Sequence, residues 1–258
     1  AGSQQLMQPF GTTLARNGYV AVTFDFPGHG RNPQPLSGGL ADFSAMQRDL
    51  LDTLDAVSRH AVGLDGSDGR LAVLGHSMAA DVVVRYADAN PEVQATVAVS
   101  LFLPRQEEFH PRNRLIIDGA LEAGMLIEQG RTIVGAATGG LAEPAVTYGR
   151  FDDGSARRLA LARGVEHIGV LYSRDSLRES VAWLDQVYAR QGSGFLDTRG
   201  AWLGLLFLGL VALAWPLAGL LPRVSTPRPR PTAGRRDLAW AALLPALLTP
   251  LVLWKAPS

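Results

Sequence analysis

The chain has 258 residues and carries 24 basic and 24 acidic side chains, a formal net charge of zero. That length allows one sizeable domain or two small ones, and neutrality argues against a nucleic-acid partner, which calls for a basic face. The absence of cysteine excludes a thiol nucleophile, a thiolate metal site and a disulfide scaffold, while leaving the compartment open.

In chain order, the first element is a helix over Gln4 to Asn17, where Leu6, Phe10 and Leu14 recur at helical spacing and Asn17-Gly18 supplies a stop. Tyr19 to Asp25 (YVAVTFD) reads as a short, mostly apolar strand. Asp42 to Ala61 puts Met46, Leu50, Leu54 and Val57 on one helical face. Arg70 to Leu74 is a strand, Met78 to Ala89 a helix, Thr96 to Leu103 and Leu115 to Ile117 are strands, and Leu159 to Ala162 is one more. Leu177, Val181, Leu184 and Tyr188 mark a last amphipathic helix. Strands alternating with helices require crossovers and a mainly parallel sheet. Between Leu103 and Leu115 about a dozen residues remain, too few for a cap domain. The longest insertion, Leu126 to Arg158, contains Gly139-Gly140 and Asp152-Asp153-Gly154, which read as turns, the last as a hairpin.

Composition changes after residue 195. Ala201 to Leu221 is 21 residues without a charge, long enough to cross a bilayer core at about 1.5 Å per residue. Leu238 to Trp254 is a second uncharged run, of 17 residues, interrupted by Pro245 and Pro250. The loop between them, 222–237, holds Arg223, Arg228, Arg230, Arg235 and Arg236; short loops of this kind stay cytoplasmic. The expected organisation is therefore a soluble domain over 1–195, outside the cytoplasm, followed by two spans of a multi-pass membrane protein. The start at Ala1-Gly2-Ser3, without Met or signal peptide, and the end four residues past an apolar run are expected to be cuts in a longer polypeptide.

The stretch that carries chemistry is Arg70-Leu-Ala-Val-Leu-Gly75-His76-Ser77-Met78-Ala79, a strand running through Gly-x-Ser-x-Ala into a helix. A serine held on so tight a turn needs small residues two positions to either side, and Gly75 and Ala79 meet that demand. This stretch resembles the nucleophile elbow of the α/β-hydrolase superfamily. Phe24-Asp25-Phe26-Pro27-Gly28-His29-Gly30 is similar to that superfamily's Asp-x-Pro-Gly-His-Gly loop, about 50 residues upstream of the elbow. The resemblance covers roughly residues 1 to 190. It implies the α/β-hydrolase fold, a mainly parallel sheet flanked by helices with no large cap domain, here followed by transmembrane helices.

The resemblance also implies roles. Ser77 is the expected nucleophile, and the backbone N–H of Met78 one expected oxyanion donor. Ala1-Gly2-Ser3 resembles the tail of the loop that supplies the second donor, which would then precede Ala1. The superfamily order is Ser, then acid, then His. That order sets aside His29, His60 and His76 and leaves His110 and His167, of which His167, in Gly-Val-Glu-His-Ile-Gly before the last helix, is the closer match. For the acid, Glu122 follows Gly119 at the superfamily's spacing, and Asp118 at the strand end is the alternative. Glu107, Glu108, Asp152 and Asp153 read as solvated surface groups. No metal or organic cofactor is expected. The implied reaction is hydrolysis of a small-molecule or lipid carboxylic ester through an acyl-enzyme, next to the bilayer. A peptidase or thioesterase on the same triad, a silent binding module and a transporter component are the alternatives.

Overall fold

In the computed structural model the described residues are 3–38, 42–103, 109–136, 139–220, 234, 236–241 and 243–244. They fall into two compact units, Ala1–Leu206 and Phe207–Ser258.

In the first unit, helix α1 (Gln4–Arg16) and helix α2 (Phe43–Val62, opened by the Asp42 carboxylate on Ala45 N–H) precede the sheet. Strand β1 (Leu71–His76), helix α3 (Met78–Ala89), strand β2 (Val93–Val99) and strand β3 (Arg114–Gly119) follow. Helix α4 (Gly124–Gly135), strands β4 (Thr147–Tyr148) and β5 (Arg157–Ala162), and helix α5 (Arg174–Val187) complete the unit. The sheet order is β1-β2-β3-β5-β4, with all neighbours parallel except the two-residue β4, antiparallel to β5. Every residue of β3 is buried, as expected of a parallel strand covered on both faces. Alternation distributes its side chains. Leu115 and Ile117 enter one core with Phe10 of α1 and Leu177 and Trp183 of α5. Ile116 enters another with Ala80 and Val84 of α3, Val134 of α4 and Leu159. All the parallel strands of this sheet end on the same side.

Expected and observed elements agree in type and order for α1, α2, β1, α3, β2, β3, β5 and α5, with ends displaced by a few residues; β2 stops at Val99 rather than Leu103. One expectation is corrected. Tyr19 to Asp25 is extended but joins no ladder, because a strand exists only where a neighbour takes its peptide groups, and β1 is separated from it by a cavity. Besides the turns read in it, the insertion after Leu126 holds most of α4, which the sequence reading did not name. Three glycines hide that helix from a propensity reading. Two of them are needed for contact: a Cβ on Gly130 would sit 2.9 Å from Asp118 Oδ2 and 3.1 Å from Leu159 Cδ1, and one on Gly135 would collide with the Gly140 carbonyl oxygen. The turn at Asp153-Gly154 does lie in the loop joining antiparallel β4 and β5.

Helix α6 (Arg199–Ala218) begins in the first unit and continues in the second. It is long and apolar enough to cross a membrane, and none of its residues is buried. In the second unit, 236–241 and 243–244 are helical; most of the expected second span and the arginines at 223, 228, 230 and 235 lie outside the described residues.

Candidate active site

The site forms where the parallel strands end. Ser77 is the hinge between β1 and α3. Its backbone has φ 58° and ψ −123°, a region that side-chain-bearing residues avoid. Two bonds hold it there: its N–H donates to Val99 O at 2.9 Å, and its carbonyl accepts from Ala80 N–H at 2.8 Å. Gly75 is required by close approach, since a Cβ would stand 2.3 Å from the Ala79 carbonyl oxygen. The elbow pattern therefore has a direct steric cause. Met78 is the first residue of α3, and its backbone N–H takes no partner among the described residues, as befits the first turn of a helix.

Three expected residues from three loops meet. His167 Nε2 lies 3.0 Å from Ser77 Oγ, and His167 Nδ1 lies 3.2 Å from Glu122 Oε2. The Glu122 side chain is 1 % exposed and that of His167 is 41 % exposed, so the carboxylate is shielded while the imidazole can be reached. The other Glu122 oxygen, Oε1, accepts from Gly119 N–H at 3.0 Å and from the Ser100 hydroxyl. A buried carboxylate with three donors is fixed in direction.

The loop carrying His167 is braced twice. Glu166 accepts from the N–H groups of Ile168 and Gly169, both at 2.8 Å, closing the short 3₁₀ turn Gly169–Tyr172 behind the imidazole. His76 Nε2 lies 2.8 Å from the His167 carbonyl, and the two rings are 4.8 Å apart. Burial pushes the His76 pKa down to about 4. The ring is thus neutral and donates to that carbonyl from Nε2. His76 turns toward the backbone of the His167 loop.

Asp118, the alternative acid, has no contact with His167. It is fully buried at the end of β3, and its carboxyl oxygens meet no donor at good hydrogen-bond geometry among the described residues; the Leu101 backbone N–H is a weak neighbour that only partly offsets burial. Burial, and then the neighbouring Glu122, raise its pKa to about 8. His110 is tied through its backbone to Asp88 and Arg157 ahead of β3, at the opposite end of that strand from Glu122. His29 Nδ1 lies 3.0 Å from its own turn's Pro27 carbonyl, and His60 closes α2. Asp152 and Asp153 are exposed, whereas Glu107, Glu108, Ala1 and Gly2 lie outside the described residues. Among the described residues no cluster of three or more His, Asp or Glu side chains could hold a metal ion.

Ser100 escaped the sequence reading. It adopts φ 53° at the end of β2 and projects its hydroxyl onto Glu122, 22 residues away. Nothing local in Val-Ala-Val-Ser announces such a contact. Ser100→Ala removes one of three donors from a buried carboxylate and is expected to cost about 1–3 kcal/mol, read as a lower denaturant midpoint with an unchanged m value.

A family profile described as serine aminopeptidase, S33, matches residues 2–121, a span that contains the elbow. Among solved structures, a CIB-like hydrolase from Thermoplasma acidophilum superimposes with a TM-score of 0.51 at 15 % identity, covering 70 % of this chain and 80 % of that one. A protein of unknown function from Agrobacterium tumefaciens, described as an α/β hydrolase, has a TM-score of 0.45 at 16 % identity, covering 73 % and 80 %. No curated protein sequence matches.

Proposed function

We propose that this chain, which has the α/β-hydrolase fold and matches the serine aminopeptidase, S33, profile over residues 2–121, is a membrane-anchored serine hydrolase cleaving carboxylic esters, with Ser77 as nucleophile, His167 as base and Glu122 as acid. The observation that carries the reading is the unbroken relay from Ser77 Oγ through His167 to a buried Glu122. With Nδ1–H donated to Glu122, Nε2 is free to take the Ser77 proton as Oγ adds to the acyl carbonyl. The oxyanion develops beside the start of α3, where the Met78 N–H is unpaired. Collapse expels the alcohol with the proton held by His167 and leaves an acyl-serine. Water then gives a proton to His167, adds to the acyl carbonyl, and releases the acid as the proton returns to Ser77.

Apolar side chains favour an acyl group over a charged one. Leu121 and Met125 flank Glu122, Ile168 follows His167 and Phe102 lies two residues past Ser100, and all four are exposed. The expected result is fluorophosphonate labelling of the protein and turnover of p-nitrophenyl esters of medium chain length. Lack of label in a folded protein would sink the enzyme reading. The profile's description favours a second reading, an aminopeptidase on the same triad. Turnover of aminoacyl p-nitroanilides in preference to the esters would establish it.

Helix α6 supports the anchor. A core helix of the same length and composition would be mostly buried and a signal sequence would be N-terminal, and α6 is neither. On the positive-inside rule, the arginine-rich stretch after it favours an orientation with the hydrolase outside the cytoplasm. Carbonate washing is expected to leave the protein in the membrane fraction, and external protease to degrade the hydrolase unit in intact cells. Release by carbonate would remove the anchor from the proposal.

A further inference from the structure

After α5 the chain turns back and retraces α1 from its last residues toward its first. Ser193 Oγ donates to Arg16 O at 2.9 Å, and Asn17 Nδ2 donates to Phe195 O at 2.9 Å. Asp197 N–H donates to Thr13 Oγ1 at 3.0 Å. Arg199 then reaches Thr12 Oγ1 at 2.9 Å and Gln8 Oε1 at 2.6 Å. Trp202 and Leu203, early in α6, share a crevice with Gln5 and Leu6. All of these residues belong to the first unit. Contacts in such strict order along both segments fix the direction in which α6 begins.

That direction is toward the end of the unit that carries Ser77, Glu122 and His167. The opposite end is marked by Tyr188, after α5, which packs on Tyr19 after α1 and on Arg70 ahead of β1. Helix α1 has 13 residues, so its first turn lies about 20 Å from there. Near that first turn, Gly200 is pressed on Tyr172, where a Cβ would stand 2.7 Å from Tyr172 Cβ. Tyr172 closes the 3₁₀ turn behind His167. Helix α6 therefore takes off from the element that backs the imidazole.

Two residues set the level at which lipid would begin. Arg199 is the last charged residue before the apolar run, and its guanidinium is tied to Asp197 at 2.8 Å. A charge pair fixed to the folded unit stays out of hydrocarbon. Trp202, 67 % exposed, follows within a turn and is of the type enriched at the membrane boundary. At the same end stand the exposed apolar side chains. Phe102 follows β2, Leu121 and Met125 follow β3, and Ile168 follows β5. Ile168 opens the 3₁₀ turn that ends on Tyr172, so this rim connects to the root of α6 through one short turn. An exposed apolar rim joined to a lipid-facing helix is complementary to the bilayer itself.

We propose that the end of the hydrolase unit bearing Ser77, Glu122 and His167 docks on the bilayer surface, with Phe102, Leu121, Met125 and Ile168 inserted among the acyl chains. The ester cleaved is then an acyl ester resident in the membrane, which reaches Ser77 from the lipid side. This inference rests on the membrane-anchored esterase reading and narrows its substrate from a dissolved ester to a membrane lipid.

The chain has no cysteine, so single cysteines can carry an environment-sensitive fluorophore in the full chain reconstituted in phosphatidylcholine vesicles. Met125→Cys and Ile168→Cys report on the rim, and Asp65→Cys, exposed in the turn between α2 and β1, reports on the far end. Nitroxide-labelled phosphatidylcholine is expected to quench the first two labels about two-fold or more, as for groups about 5–10 Å inside the headgroup boundary, and to leave the third unchanged. Absence of quenching at 125 and 168, or equal quenching at all three, overturns the docking. Shielding of 125 and 168 from water without lipid quenching also overturns it, by making a protein the partner. These readings need no turnover, so they decide the docking even if fluorophosphonate labelling removes the esterase. For the substrate, a long-chain diacylglycerol is diluted with phosphatidylcholine at constant bulk concentration. Its hydrolysis is expected to fall in proportion to its mole fraction in the bilayer. A rate indifferent to that dilution, or turnover of dissolved p-nitrophenyl esters with none of the lipid, overturns entry from the lipid side.

Discussion

Ser77→Ala is expected to lower kcat for a p-nitrophenyl ester by roughly 10⁴- to 10⁶-fold, and His167→Ala to do the same, with the double variant no worse than either. The reason is that the two side chains act as one unit. In the proposed mechanism Ser77 Oγ is a weak nucleophile until His167 Nε2, 3.0 Å away, receives its proton, so losing either partner would forfeit the same step. What survives is whatever catalysis the unpaired Met78 N–H and substrate binding provide. Neither replacement should unfold the protein. Alanine at position 77 meets the same φ of 58° that serine already tolerates, and His167 is partly exposed. Melting curves taken beside the kinetics would separate the effects. Residual activity above about 1 % in either folded variant would remove that residue from the chemistry. Glu122→Gln should fall short of both, because the amide keeps a place between Ser100 and Gly119 but loses the charge that favours imidazolium.

The elements legible in the sequence were those set by short-range rules. The elbow is written in Gly75, Ser77 and Ala79 because a backbone clash at 2.3 Å dictates the first of them. Helix α3 could be read to its ends because Ser77 and Asn90 bound an uninterrupted helical pattern. The meeting of Ser77, Glu122 and His167 was accessible through superfamily order and spacing, since all three stand on loops after strands that end on one side. What the sequence hid was decided at a distance. Tyr19–Asp25 has the composition of a strand, yet whether it is one depends on what lies beside it. Helix α4 is disguised by its glycines, of which Gly130 is required by the neighbouring β3 and β5. The value of Ser100 rests on a carboxylate 22 residues later and on a left-handed backbone that no pattern marks.

The second large effect concerns Asp118. Asp118→Asn is expected to stabilise the hydrolase unit at neutral and alkaline pH and to change little below pH 4. Burial, with help from Glu122, raises the folded-state pKa of Asp118 to about 8, against 3.8 for an ordinary aspartate. Between those two values the folded chain holds a proton that the unfolded chain has released. Unfolding therefore sheds that proton, and the native state loses stability as pH rises through the window; below pH 4 both states are protonated and the penalty vanishes. A displacement of that size corresponds to a destabilisation on the order of 5 kcal/mol once pH exceeds 8. Asparagine has the shape of aspartic acid and cannot ionise, so it escapes the window entirely. Denaturant titrations of both proteins at pH 4, 6 and 8 give the test: their difference should be small at pH 4 and widen at each step. A constant difference across the three would mean that the carboxyl is already ionised in the fold, matched by a donor. The same variant should retain ester turnover at pH 7, because Glu122, not Asp118, touches His167. A burden at position 118 that widens with pH, joined to intact catalysis, would separate the two carboxylates by role. One is matched by three donors, the imidazole among them, and the other, four residues away in sequence, is pushed toward its neutral form by the same dry interior.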